Sequence, residues 1–359
     1  MRFGKKIHLL VLGLFFVFSL YLTSSALAAP AVSAVQGTVS KGNQVTVVGS
    51  AFGAHASYSQ DGKKLNWAWH NFEGASLSGD GFAPAPASGG SIQWQLATTG
   101  GRPGSSYWAK RVDTLGGNDN MGGMKKGEGG VSYPGIAFVS FWFKIPRTAT
   151  SGKFARFAGN GTPANDPDFM VDTGGTDFNI RAGNYSTVQW GSANSFADST
   201  WQRFDLLIDA AGNSEKSWIV GQNGNNPQWT LNWTIAGLDS YFGANIGAGK
   251  DSGGTTDSNY YGFDDIFIDF TQARVELCNS SSWSGRSQCE IQIPVTWTSS
   301  SIGIQVNQGA FPAGGTAYLY VVDQSGAVNS TGFPITIGQG SGGGGQVTLP
   351  VSPVQVQVK

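Results

Sequence analysis

Between Phe263 and Phe270 the side chains fall into two alternating sets. Phe263, Asp265, Phe267 and Asp269 form one, and Asp264, Ile266, Ile268 and Phe270 the other. A period of two predicts a strand with unequal faces and fits a helix badly. Extended in both directions, Tyr260 to Leu277 reads as one long strand, bounded by the Gly-rich stretch Gly247 to Asn259 and by Cys278 with its serine run. Short aromatic and β-branched runs of the same kind recur upstream at Ser91–Ala97, Ser106–Val112, Ile136–Ile145, Phe154–Gly159, Asp168–Asp172, Phe178–Ala182, Thr187–Trp190, Trp201–Ile208, Glu215–Val220 and Trp229–Ile235. Gly-rich loops separate them, and Gly116 to Gly130 has the composition of a long flexible loop. The spacing predicts an all-β sandwich.

The two ends of the chain carry a different pattern. Gly42 to Gly53 contains Val45-Thr46-Val47-Val48 and closes on Phe52-Gly53, and short strands return after Cys289: Glu290–Pro294, Ser301–Val306, Ala317–Asp323 and Gly332–Ile337. Gly338 to Gly345 is a linker, and the tail Gln346–Lys359 is too short to fold alone. At the start, Lys5 and Lys6, the apolar run Leu9 to Leu22 and Ala26-Leu27-Ala28 have the three regions of a secretory signal, with cleavage expected after Ala28. No second apolar span follows, so no membrane span is expected once the signal is removed.

Two resemblances organise these patterns. The tyrosine-rich lead into Asp264-Asp265-Ile266-Phe267-Ile268 resembles the closing strand of concanavalin A-like jelly rolls, the lectin and glucanase fold. The Gly42–Gly53 stretch resembles the opening of an IPT/TIG immunoglobulin-like domain, and Gly332–Ile337 resembles the last strand of one. Together they imply a bacterial secreted protein in which a jelly-roll sandwich is inserted into a smaller immunoglobulin-like sandwich and splits it. The expected segments are a signal at 1–28, the first part of the small domain at 29–63, the jelly roll at 64–277, the rest of the small domain at 278–337, and linker and tail at 338–359.

The chain of 359 residues is only 13% charged. Loss of Arg2, Lys5 and Lys6 with the signal would move the formal net charge from −1 to about −4, so nucleic acid is not the expected partner. Cys278 and Cys289, the only cysteines, lie in a segment expected to be exported and predict a disulfide. Two cysteines with no adjacent histidine do not complete a zinc shell.

Candidate chemistry is thin on the acid side. After the signal the only glutamates are Glu73, Glu128, Glu215, Glu276 and Glu290. A glycoside hydrolase needs two facing carboxylates, and none of these sits in the Glu-x-Asp-x-x-Glu strand of the related glucanases. The wider fold commonly holds a structural calcium where Asp265 and Asp269 fall, and Glu73 is the partner expected for them. Phe178-Asn179-Ile180-Arg181-Ala182-Gly183-Asn184-Tyr185 resembles a strand of alginate lyases, in which a tyrosine works beside an arginine that neutralises a uronate. The lyases' Gln-x-His strand has no counterpart, because neither His55 nor His70 has Gln two residues before it. Twelve tryptophans supply flat faces for stacking on sugars as well as for the core. Trp190 and Trp108, in polar neighbourhoods, join Tyr185 and Arg181 as the expected sugar-contacting residues, while Trp67, Trp69, Trp142 and Trp201 are expected in the core. The expectation is a non-catalytic binder of a polysaccharide or cell-surface glycan, located outside the cell, on its surface or in the periplasm. The rivals are a polysaccharide lyase or glycoside hydrolase of the jelly-roll class and a structural or adhesive surface component.

Overall fold

The structure is a computed structural model. It describes residues 28–58, 64–85, 92–113, 119–120, 123–145, 152–158, 168–174, 177–182, 187–190, 196–210, 212–222, 227, 229–232, 241–247, 249–250 and 260–341. Among them every regular element is a strand or an isolated bridge, and every strand pairing is antiparallel.

Two sheets make the larger sandwich. One runs Thr187–Trp190, Asp177–Ala182, Asp168–Gly174, Gly152–Ala158, Tyr241–Ile246, Gly123–Ser132 and Ala83–Ala85. The other runs Trp229–Asn232, Ser214–Ile219, Gln202–Asp209, Ile136–Lys144, Tyr260–Asp269, Trp108–Asp113 and Ile92–Ala97, with Ala68–His70 also paired to Tyr260–Asp269. Alternate residues of each strand meet between the sheets. Val139, Phe141 and Phe143 face in from one strand, Phe204, Leu206 and Ile208 from the next, and Ala155, Phe157, Phe242 and Ile246 from the opposite sheet. Such facing sets of aromatic and branched side chains are what a sandwich core requires.

The smaller sandwich is built from both ends of the chain. Its strand order is Phe333–Thr336, Thr316–Val322, Arg274–Cys278, Cys289–Trp297, Ser301–Gln305, Gln44–Ser50, Ala31–Thr38 and Gly340–Ser341. Gln44 lies opposite Gln305 and Val48 opposite Ser301, so the sandwich is split and the larger one is inserted between its halves. Val45, Val47, Phe52, Leu277, Ile302, Ile304, Leu319 and Ile337 fill its core.

The long strand expected from Tyr260 to Leu277 is two strands. Tyr260–Asp269 ends at a turn, and Arg274–Cys278 already belongs to the small sandwich. The strict alternation is also interrupted. Asp264 faces Trp142 but Phe267 faces Ser140, a bulge in which Asp265 adopts a φ of 46°. The extra residue exchanges the two faces. Phe263, Ile266, Ile268 and Phe270 therefore share the large core, while Phe267 points to the small sandwich. Gly116 to Gly130, expected as a loop, contains most of the strand Gly123–Ser132.

The outer face of the second large sheet packs on the small sandwich. Phe138, Trp218, Val220 and Phe267 meet Cys278, Cys289, Ile291, Ile293 and Tyr320 in one apolar cluster. Charge lines the same seam. Arg203 of the large sandwich donates to Asp205 and to Glu276 of the small one, Arg102 bridges Asp265 to Glu290, and Lys41 reaches Glu73 at 2.9 Å.

Candidate functional site

The other face to consider is the outer face of the first sheet, on which Asn245 and Arg156 are only 8% and 9% exposed. Its residues follow from register. Ala155 and Phe157 point into the core, so Arg156 between them belongs to the outer face. Arg156 lies opposite Asn245, and Asn245 lies opposite Lys125. In the other direction Arg156 lies opposite Met170, Met170 opposite Arg181, and Arg181 opposite Val188. Directly paired positions share a face. Positions 125, 245, 156, 170, 181 and 188 thus form one row across six strands. Five strand spacings carry that row over roughly 24 Å. Trp190, paired with Asn179, is two residues along from Val188 and so occupies the same face.

The row is basic and polar, with Lys125, Asn245, Arg156 and Arg181 at four of its six positions. The Asn245 side chain is 8% exposed, and neither its carbonyl nor its amide finds a hydrogen-bond partner among the described residues. A buried carboxamide left unpaired costs stability, which makes Asn245 the most conspicuous polar group of the row.

Of the residues expected to contact sugar, Arg181 and Trp190 are therefore brought to one face, and Tyr185 lies outside the described residues. Trp108 is placed elsewhere. It is 3% exposed, its indole donates to the Thr99 carbonyl at 3.0 Å, and it packs edge-on to Trp201. Buried in that contact, it offers no open ring face. Lys125, Arg156 and Asn245 were not among the candidates. Only their register with Arg181, which sequence spacing does not reveal, joins them to it.

The acids expected as calcium ligands do not converge. Glu73 is held by Lys41 and accepts from Ser105 Oγ at 3.0 Å and the Ser106 amide at 2.7 Å. Burial works against its charge, but these partners outweigh it and hold the carboxyl below its usual range. Asp265 accepts from the Arg102 guanidinium and from Asn307 Nδ2 at 3.1 Å. Asp269 is bonded to His55 Nε2 at 2.8 Å and to the Phe270 amide. Each carboxylate already carries a protein cation or imidazole, so the three do not fit a calcium ion, which needs six to eight free oxygens. Among the described residues the one cluster with metal-ligand spacing is Glu276 with Cys278 and Cys289, and both sulfurs are spent in the Cys278–Cys289 disulfide.

Two other acids stand out. Asp264, fully buried beside Arg102 Nε at 3.3 Å, is pushed up to about 7 by burial, with the guanidinium opposing. Glu215 is fully buried, and neither carboxyl oxygen has a hydrogen-bond partner among the described residues. Burial alone pushes it well above the usual range. It lies opposite Ile208 and on the same face as Ile219, which turns it toward the core and away from the basic row.

No known family model and no curated protein matches the chain. Among solved structures, the chain is similar to the cellulose induced protein Cip1 at 12% identity and a TM-score of 0.41, over 57% of this chain and 97% of that one. It is also similar to domain 4 of AbnA, a GH43 extracellular arabinanase from Geobacillus stearothermophilus, at 15% identity and a TM-score of 0.36, over 58% of this chain and 93% of that one. A sialidase matches at 9% identity and a TM-score of 0.39, over 64% of this chain, which spans 21% of the sialidase. Likenesses this distant leave the fold to stand on its own strand pairing.

Proposed function

We propose that the chain is an exported, non-catalytic carbohydrate-binding protein whose larger sandwich grips a polysaccharide across the outer face of its first sheet. The observation that carries this reading is the register that aligns Lys125, Asn245, Arg156 and Arg181 in one row with Trp190 beside it. Lysine, arginine and asparagine with a tryptophan at neighbouring register positions are the residue types of sugar recognition: hydrogen bonds for hydroxyls and carboxylates, an indole for the ring. The length of the row suits several sugar units in succession.

The non-catalytic part rests on the acids. Glu73, Asp265 and Asp269 are bound to Lys41, Arg102 and His55, and Glu215 faces the core, so two facing carboxylates on the basic row are wanting among the described residues. Export is supported by the disulfide, which persists in oxidising compartments. It is supported too by the signal-like residues 1–28. The small sandwich is read as an IPT/TIG-type module on its Gly42–Gly53 opening, with the jelly roll inserted after residue 63.

Affinity electrophoresis of residues 29–359 through gels containing neutral or uronate polysaccharides tests the reading. Retardation by at least one polymer, abolished in the Arg181→Ala/Trp190→Ala double variant with an unchanged melting temperature, is expected. Release of unsaturated sugars or of new reducing ends would replace it with the enzyme.

A further inference from the structure

The small sandwich is open on one side. Its strand order begins at Phe333–Thr336, which pairs with Thr316–Val322 alone among the described residues, and ends at Gly340–Ser341 on Ala31–Thr38. Where these two end strands approach each other lies a groove of about 310 Å³, whose lining includes Val39, Phe333, Pro334, Ile335, Thr336 and Gln339 and no charged side chain.

The floor of the groove is apolar. Val39 and Ile335 belong to the small core, and Phe333 packs against that core while only half-buried. Its rim is a backbone edge. Ile337 donates its N–H to the Gly315 carbonyl at 2.9 Å, on the side of Thr316–Val322. Alternation turns Phe333 and Ile335 the same way, and the Pro334 carbonyl and the Thr336 N–H outward. Pro334 has no N–H to leave unpaired at this edge, and the Thr336 carbonyl already accepts from the Gln339 amide at 3.4 Å. One acceptor and one donor, two residues apart, are left for a further strand, and a single residue of a parallel strand can satisfy both. Open edges of this kind are ordinarily blunted or covered.

We propose that the cover is this chain's own tail: residues 354–358 form a strand along the open edge of Phe333–Thr336, with Val354, Val356 and Val358 in the groove and Gln355 and Gln357 turned to solvent. Residues 342–359 continue from Ser341 and lie outside the described residues. Their sequence carries the strict apolar–polar alternation Val354-Gln355-Val356-Gln357-Val358, set off from Ser341 by four glycines and by Pro350 and Pro353. The tether starts beside the groove, because Gln339, which lines it, is two residues from Ser341. Residues 342–353 reach up to roughly 40 Å when extended, against about 13 Å for the length of Phe333–Thr336, so the tail can return to the start of the edge. An uncharged segment suits an uncharged groove, alternate side chains suit an edge with an apolar floor, and the short tether favours the molecule's own tail over that of a second copy.

Amide hydrogen exchange, read residue by residue in ¹H–¹⁵N spectra, tests the proposal on residues 29–359, on the Val354→Asp/Val356→Asp/Val358→Asp variant and on residues 29–345. The Thr336 amide should exchange about tenfold or more faster in both altered proteins than in the unaltered one, while the core amides of Val47 and Ile302 keep their rates. A synthetic peptide of residues 346–359 added in excess to residues 29–345 should slow Thr336 again, and the same peptide with the three aspartates should not. Equal Thr336 rates in all three proteins would overturn the proposal. So would protection of Thr336 that grows with protein concentration, which assigns the groove to a second copy. If the altered proteins also loosen Val47 and Ile302, recovery on adding the peptide supports the added strand and failure to recover overturns it.

Discussion

Arg203 on strand Gln202–Asp209 holds Asp205 of its own sandwich through Nε and Nη2 at 2.8 and 2.7 Å, and reaches Glu276 of the other through Nη1 at 3.1 Å. The same Nη1 also donates to the Cys289 carbonyl at 3.2 Å. One fully buried guanidinium therefore ties the core sheet of the insert to both strands that carry the disulfide.

Removing it strands charge in a dry interface. Arg203→Ala leaves Asp205 without its guanidinium and Glu276 with only Arg274 bonded to it, a loss of about 3–5 kcal/mol for a broken buried pair. The expected denaturant curve of the wild type is a single transition, because the apolar seam and the ion pairs join the two sandwiches. Arg203→Ala should lower the midpoint and separate the two sandwiches into distinct steps. A variant that melts like the wild type would refute the linkage.

The disulfide joins the strands that flank the return of the chain into the small sandwich. Closing so short a loop contributes about 2–3 kcal/mol, so a Cys278→Ser/Cys289→Ser protein should be weakened by that amount. Both sulfurs are spent in the bridge, so thiol reagents should find nothing in the native or the unreduced, unfolded protein. Two reactive thiols after unfolding would disprove the bridge.

Much of this architecture was legible in the chain because β alternation and cysteine spacing are local signals. Val45 and Val47 on one side of a strand, and Ile302 and Ile304 on its future partner, announce a sandwich whose halves lie more than 200 residues apart. What escaped was non-local. The bulge at Asp264 and Asp265 exchanges the faces of the strand that best displays its pattern, and nothing in the alternation reveals the extra residue. Trp108 sits beside Lys110 and Arg111, so its neighbourhood reads as polar, and alternation does place it on the face of Lys110, opposite the core residue Ala109; it is buried there by Trp201 and the Thr99 carbonyl, contacts that its own strand does not announce. The basic row depends on the register of six strands, and Asp265 reads as a metal ligand until Arg102, 163 residues earlier, is placed on it.

Glu215 should be replaceable by a hydrocarbon. Its carboxyl is fully buried among Ile208, Ile219 and their neighbours with no hydrogen bond to a described residue, so it folds at the cost of desolvation. Glu215→Leu is expected to raise the urea midpoint at pH 7, and Glu215→Gln to do so less, because the amide still lacks a partner. A lowered midpoint for Glu215→Leu would show that the carboxyl has a role in holding the sheet.

Trp190 separates surface from core by two measurements on one variant. As a stacking ring on the outer face, Trp190→Ala should weaken polysaccharide binding by about 1–3 kcal/mol and leave melting unchanged. As a core ring, the same change should cost about 3–5 kcal/mol of stability. Arg181→Ala should weaken binding to uronate polymers more than to neutral ones, and equal losses on both would remove charge from the recognition.

Stability should fall as pH rises through neutrality, and beside the buried Glu215 two contributions can be dissected. Asp264 has a folded pKa pushed up to about 7 by burial, against 3.8 ordinarily, so the stability it contributes is complete below about pH 4 and lost as pH rises through about 7. His55 follows the same sign. Burial lowers its pKa, but the Asp269 hydrogen bond at 2.8 Å outweighs this and holds the imidazole above 6.5, so its contribution is complete below that value and lost as pH climbs through the folded pKa. Glu276 works in the opposite sense. Three guanidiniums outweigh its burial and depress its pKa, so its contribution is present above 4.5 and lost on acidification. The urea midpoint should therefore decline between about pH 6 and 8 and collapse in strong acid. Asp264→Asn, which keeps an oxygen toward Arg102 Nε, should flatten the neutral decline, and combining it with His55→Gln should flatten it further, leaving the part that the buried Glu215 carries. A midpoint that rises from pH 6 to 8, or a decline that neither substitution reduces, would place the titrating groups elsewhere in the protein.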